Sequence, residues 1–193
     1  MTSRTTRRTA AAVLVAAGAG AIAAPASNPT APPLPATPMG APQDFDFEHG
    51  NWRTSLRRRL QPLSGSDVWA EYAGTTVVHP LLGGRANLVE LDVSGPEGRI
   101  QGLSLRLFEV QRQRWTLNFS NAASGMLAAP MVGGFGSSPR GLFYSAEDFN
   151  GRSILVRFVI ESASVDRCSF EQAFSADAGA TWEVNWIAVD TRA

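Results

Sequence analysis

Glu48 and His49 place a carboxylate beside an imidazole in Phe45-Asp46-Phe47-Glu48-His49-Gly50-Asn51-Trp52-Arg53. General acid–base chemistry needs two such groups converging on one reacting atom. Neighbours on an extended chain point to opposite sides. The pair is therefore read as part of a short helical turn that caps a fold, with Asp44 as N-cap and Phe45 and Phe47 as plugs. His79 precedes Pro80, which favours a strand end or turn. Two histidines and one cysteine, without metal-ligand spacing, give no metal motif. No Gly-x-Ser-x-Gly elbow, P-loop or dinucleotide fingerprint occurs, so no cofactor is expected. Cys168 has no disulfide partner, lies in a strand-like stretch, and is expected to be a buried, inert thiol. No catalytic residue is assigned.

The elements that must position these side chains begin after an atypical first quarter. Arg4, Arg7 and Arg8 precede an unbroken small, apolar run from Ala10 to Ala24, followed by small-x-small cleavage sites. That is the pattern of a secretory signal peptide, placed at residues 1–26. The run is short and weakly hydrophobic for a membrane span. An uncleaved anchor is the alternative, and Thr6-Arg7-Arg8-Thr9 leaves a twin-arginine export route open beside the general secretory one. Seven of the twelve prolines fall between Pro25 and Pro42. Residues 27–43 are therefore expected to be a disordered linker, and residues 44–192 one folded domain. The expected location is periplasmic or extracellular, with no membrane association after cleavage.

Without the leader, 14 basic face 17 acidic residues, a net charge of −3. Lysine is absent. A nucleic-acid surface needs a dense basic stripe, so none is expected. Arg57-Arg58-Arg59 reads as a solvated strand edge, because alternate side chains face opposite ways.

The domain is expected to be all-β. Strand signals recur at 51–60, 68–79, 85–93, 99–109, 114–121, 131–136, 140–147, 152–162, 167–176 and 182–191. Asn150-Gly151, Asp177-Ala178-Gly179-Ala180 and Ser94-Gly95-Pro96-Glu97-Gly98 are hairpin turns between them. About ten neighbouring strands with short links describe a single up-and-down antiparallel β-barrel, closed because open edges would aggregate. A β-sandwich is the alternative. Gly133-Gly134-Phe135-Gly136 reads as a mobile loop at the barrel mouth.

Gly50-x-Trp52 stands at the head of this meander. It resembles the Gly-x-Trp signature that opens the first strand of lipocalins and other calycins. The resemblance implies that an arginine near the end of the last strand, here Arg192, packs over Trp52 and closes the barrel. The segments DFDFEHGNW, LRLFEVQRQRW, FNGRSILVRFVI and EQAFSADAGATWEVNWIAVDTR are similar to an uncharacterised bacterial family of exported calycin-like domains, across residues 44–192. That resemblance implies the fold and no chemistry. Glu48-His49 departs from the apolar pair more usual there.

Turn lengths suggest which residues share a face. A two-residue Asn150-Gly151 turn pairs Tyr144 with Arg157, a hairpin centred on Ser164 pairs Arg157 with Glu171, and a four-residue last loop pairs Glu171 with Trp186. Tyr144, Leu155, Arg157, Val159, Glu171, Val184 and Trp186 then form one face. Ile154, Val156, Phe158, Ile160, Phe170 and Phe174 form the other. Both are apolar, and a one-residue slip inverts the assignment. The first face is taken as the lining. Arg106 and Arg157 would receive an anionic head, with Tyr144 and Glu171 beside them, while Trp115 and Trp186 contact an apolar body. A purely structural Arg157–Glu171 pair remains open.

The expected function is binding of a small apolar or amphipathic molecule. One alternative is a barrel enzyme, a hydrolase or isomerase, using Glu171 as general base. Another is an interaction module with a filled core. A cavity above ~300 Å³ reaching solvent would favour binding. The sequence does not indicate the oligomeric state.

Overall fold

The computed structural model describes residues 32–193. The expected signal peptide and residues 27–31 of the linker lie outside the described residues. Ten antiparallel strands close on themselves. They are β1 (Gly50–Arg59), β2 (Trp69–Leu81), β3 (Ala86–Gly95), β4 (Gly98–Glu109), β5 (Arg114–Asn121), β6 (Met131–Gly134), β7 (Arg140–Phe149), β8 (Arg152–Ser164), β9 (Arg167–Ser175) and β10 (Glu183–Arg192). Each strand pairs with its sequence neighbours, and β1 pairs with β10. The fold is thus an up-and-down meander with no open edge. Arg57, Arg58 and Arg59 consequently lie mid-sheet, not on an edge. Arg57 and Arg59 sit over the Trp69 ring at 5.2 and 5.1 Å from its centroid.

The Asn150-Gly151 turn has both residues at positive φ, 54° and 76°. That is the backbone a tight two-residue hairpin demands, and Phe149 accordingly faces Arg152.

One end of the cylinder is closed. A 3₁₀ turn, Asp46–Glu48, lies across it. Phe45 drives into the end with its ring centroid 4.8 Å from Trp115, 5.2 Å from Phe135 and 6.0 Å from Phe143. Asp44 does not cap this turn. Its carboxylate accepts the Ala41 amide at 2.8 Å, and the position before the turn, Phe45, makes no side-chain cap. The end of the expected linker is likewise part of the fold. The Gly40 amide donates to Gln113 O, Gly136 N donates to Met39 O, and Trp115 Nε1 donates to Ala41 O at 2.9 Å. Pairing with the barrel offsets the chain entropy that proline-rich composition alone would leave in place.

The 133–136 glycine segment is also at this closed end, and not in a mobile mouth loop. Gly133 and Gly134 belong to β6, and Phe135 is buried in the plug. A Cβ on Gly134 would come within 2.7 Å of Gly40 N, so glycine is what lets the entering chain lie on the strand.

Candidate functional site

Three residues join the first and last strands at the closed end. Trp52 and Arg192 are Cα partners across β1 and β10. The Arg192 guanidinium lies 3.7 Å from the Trp52 ring centroid. It also donates to His49 O at 2.6 Å, Phe47 O at 3.0 Å and Val165 O at 3.0 Å. Trp52 Nε1 donates to Glu48 O at 2.6 Å. Gly50, at φ 114°, starts the strand beneath Arg192, where an added Cβ would lie 3.2 Å from Nη1. His49 faces this cap, and its neighbour Glu48 turns the other way, inward.

The Trp52–Arg192 pair fixes the inward face of β1 and of the regular part of β10 by alternation. Thr54 and Leu56 follow Trp52 inward, and Asp190, Ala188 and Trp186 precede Arg192 inward. The interior holds a cavity of about 180 Å³. Its wall is apolar around Val89, Leu91, Leu117, Phe119, Phe158, Phe170, Phe174 and Trp186. Ala128, Ala129, Met131 and Glu147 also line it, and Ala129 is exposed. The mouth therefore lies beside the β5–β6 connection. Strand β6 pairs with only three residues of β7, Leu142 to Tyr144, so β5 and β7 part beyond it.

The inner end of the cavity is polar. Arg106 on β4 and Glu48 on the cap form a buried two-pronged ion pair, with Nη1 to Oε2 in close contact and Nη2 to Oε1 at 3.1 Å. Their side chains are 4% and 0% exposed, so water contributes little to solvating either charge. Asp190, Thr54 and Thr76 stand beside this pair. The two threonine hydroxyls are 2.7 Å apart. Asp190 is 1% exposed, and its Oδ1 has no hydrogen-bond partner. Burial pushes the Asp190 carboxyl up to about 6; the Thr54 hydroxyl opposes the shift and the nearby Glu48 charge adds to it. Nearer the mouth, burial raises Glu147 above the ordinary glutamate range, while the Ser145 hydroxyl, 2.7 Å away, opposes it.

The residues expected to form the ligand row divide between two faces. The lining is the face of Phe158, Phe170 and Phe174, opposite to the expected one. Tyr144 does pair with Arg157, but both point outward. An irregularity between Ser162 and Ser164 sets Arg157 against Ala173, and Glu171 against Val159. These shifts keep Arg157 and Glu171 on the same outer face, joined at 3.1 Å. A bulge between Val184 and Trp186 then turns Trp186 inward against Gln172. Bulges insert one extra residue and reverse the alternation. No hairpin count in the sequence reveals that bulge.

On the outer face, the β9–β10 connection folds back and lays Trp182 over the sheet. Its ring is 4.8 Å from the Arg157 guanidinium and 5.9 Å from the Tyr144 ring. Leu155 and Ala173 are buried beneath. This is a small exterior core, and the Arg157–Glu171 pair is its polar rim. Trp115 points inward but into the closed-end plug, and not into the cavity. Of the expected ligand residues, Arg106 and Trp186 line the cavity, and Arg106 is already engaged by Glu48. Asp190, Thr54 and Thr76 were not anticipated from the sequence.

Cys168 is fully buried beside this polar end, and burial pushes its thiol up, with Glu48 and Asp190 adding to the shift. Among the described residues no cluster of three His, Cys, Asp or Glu side chains can hold a metal ion.

No protein-family model and no curated protein matches the chain. Solved β-barrels do. An S-type phycobiliprotein lyase from Guillardia theta aligns over 77% of this chain and 90% of its own, at 9% identity and a TM-score of 0.52. A fluorescence-activating barrel bound to DFHBI covers 79% of this chain and 98% of its own, at 7% identity and a TM-score of 0.44. A de novo designed fluorescence-activating barrel covers 78% and 98%, at 10% identity and a TM-score of 0.42. The likeness to the lyase is one of fold, and the two other barrels superpose less well. The chain is thus similar to known small closed β-barrels.

Proposed function

We propose that this protein is an exported binding barrel of calycin-like type that holds one small, partly apolar molecule. The observation that carries the reading is the cavity, apolar along its wall and polar at its inner end. Ligand sites share that plan, with a greasy body and a few fixed polar groups that set orientation. Its volume, about 180 Å³, lies below the ~300 Å³ at which drug-sized sites begin. It is comparable to the ~150 Å³ apolar void that admits a benzene ring. The expected occupant is therefore the size of one ring with a short chain.

An anionic head has lost its two receptors. Glu48 occupies the fork of Arg106, and Arg157 lies outside. The enzyme alternative loses Glu171 for the same reason, since that carboxylate is on the exterior beside Arg157.

Native mass spectrometry on protein purified from its own host tests the reading. The expected result is a bound mass within the range of a one-ring compound, or a melting shift with such compounds. An empty protein that also shows no melting shift across a panel of one-ring alcohols, amines and acids would refute it.

A further inference from the structure

The inner end of the cavity carries a charge pattern that specifies the ligand's head group; the inference rests on the binding reading above. Four ionisable side chains line the cavity: Glu48, Arg106, Glu147 and Asp190. Arg106 and Glu48 neutralise each other. Glu147 accepts from the Ser145 hydroxyl. Asp190 keeps an oxygen, Oδ1, buried and without a partner. The unmatched charge of the site is therefore acidic, and of its two orphaned polar atoms, Arg106 Nε is a donor whose charge Glu48 already matches, while Asp190 Oδ1 is an acceptor on the unmatched charge. A buried carboxylate oxygen without a donor is costly, and an ammonium supplies both the donor and the opposite charge. The wall beside it is aromatic. Phe158, Phe170, Phe174 and Trp186 present ring surface, which suits an apolar body and attracts a cation through the ring quadrupole.

We infer that the cavity selects a compact amine, an aryl or branched alkyl group on a short chain, with its ammonium donating to the Asp190 carboxylate and its body against the aromatic wall. Thr54 and Thr76 orient the carboxylate from β1 and β2. The Glu48–Arg106 pair holds the cap in place and supplies no net charge.

Three probes of closely similar size separate the possibilities: phenethylamine, 2-phenylethanol and phenylacetate, titrated at pH 7.5 into the full chain by calorimetry. The amine is expected to bind roughly tenfold or more tighter than the alcohol, the effect of one hydrogen bond to a charged group. The carboxylate is expected to bind most weakly. Asp190→Asn is expected to remove the amine's advantage and leave the alcohol's affinity unchanged within about threefold. That retained alcohol binding shows that the variant is folded.

Acidification from pH 7.5 to 5 should weaken the amine and spare the alcohol, because Asp190 gains a proton while the amine keeps its charge. Glu48, Arg106, Cys168 and the two threonines face or influence the same carboxyl. Glu147 titrates in the same cavity, so Glu147→Gln is the control: the pH effect should persist in it and vanish in Asp190→Asn. Alcohol binding without preference for the amine, or tighter binding of the carboxylate, would overturn this inference and leave the binding reading standing. Failure of all three probes to bind would overturn both.

Discussion

Glu48 couples the cap to the barrel wall through Arg106, and neither charge has water to fall back on. Removing one partner of such a pair strands the other. Glu48→Ala is expected to cost about 3–5 kcal/mol in urea unfolding. A loss below ~1 kcal/mol, typical of an exposed pair, would show that the two groups are solvated after all. Asp190 gives the stability a pH dependence of known sign. Its folded pKa, about 6, stands above the ordinary value of 3.8. The folded state thus binds the proton more tightly than the unfolded chain does. Stability from this group is full below about pH 4 and is lost as pH rises through about 6, by on the order of 2–3 kcal/mol. Asp190→Asn should therefore raise stability at pH 7.5 and flatten this part of the profile, as read by denaturation midpoints at pH 5 and 7.5. A variant less stable than the parent at pH 7.5 would contradict the assignment.

Arg106 stands out in the sequence as a candidate inward arginine, but its partner does not. Glu48 is 58 positions away, and only the docked cap brings it near. Asp190 was legible in principle. Once Arg192 is placed over Trp52, strict alternation along β10 puts Asp190 on the inner face. Turn counting around β8 and β9 placed Trp186 inward correctly but put Tyr144, Arg157 and Glu171 on its face, because the bulge near Asn185 breaks the alternation between them.

At the scale of elements, the strands were readable almost throughout. β-Branched and aromatic residues between turn residues mark most of the ten, and the largest departures are two residues at an end. The cap and the N-terminal segment were less readable. Proline-rich composition argues for disorder, and nothing local shows that Met39, Gly40 and Ala41 meet the barrel. The closed end depends on Arg192, which holds three carbonyls and one indole face. Arg192→Ala is expected to cost about 2–4 kcal/mol. Arg192→Lys should recover little of it, because a lysine cannot span the three carbonyls with a planar fork. Recovery of most of the loss by lysine would mean that charge alone matters there. Gly133 carries a different constraint. A Cβ at this position would fall 1.9 Å from Leu142 O, a backbone atom that cannot swing aside. Gly133→Ala should therefore separate β6 from β7 and cost at least ~2 kcal/mol, with faster amide exchange in β6 and β7 as its local signature.

At the scale of the molecule, the described residues form a closed barrel with one sealed end, a polar inner floor and a side mouth near the β5–β6 connection. Closure was legible because ten linked strands would expose two edges unless they closed. The cavity was not legible, since its volume depends on how far inward side chains leave space between them. Ala188 is where that space can be tested most simply. It lines the cavity and is a small residue among aromatic ones. Calorimetric titration of 2-phenylethanol into the parent protein and into Ala188→Phe addresses the central claim directly. Saturable one-to-one binding to the parent, with binding lost in a variant that still melts cooperatively, is the predicted result. No saturable binding to the parent, or equal binding to both proteins, would contradict the cavity as the site.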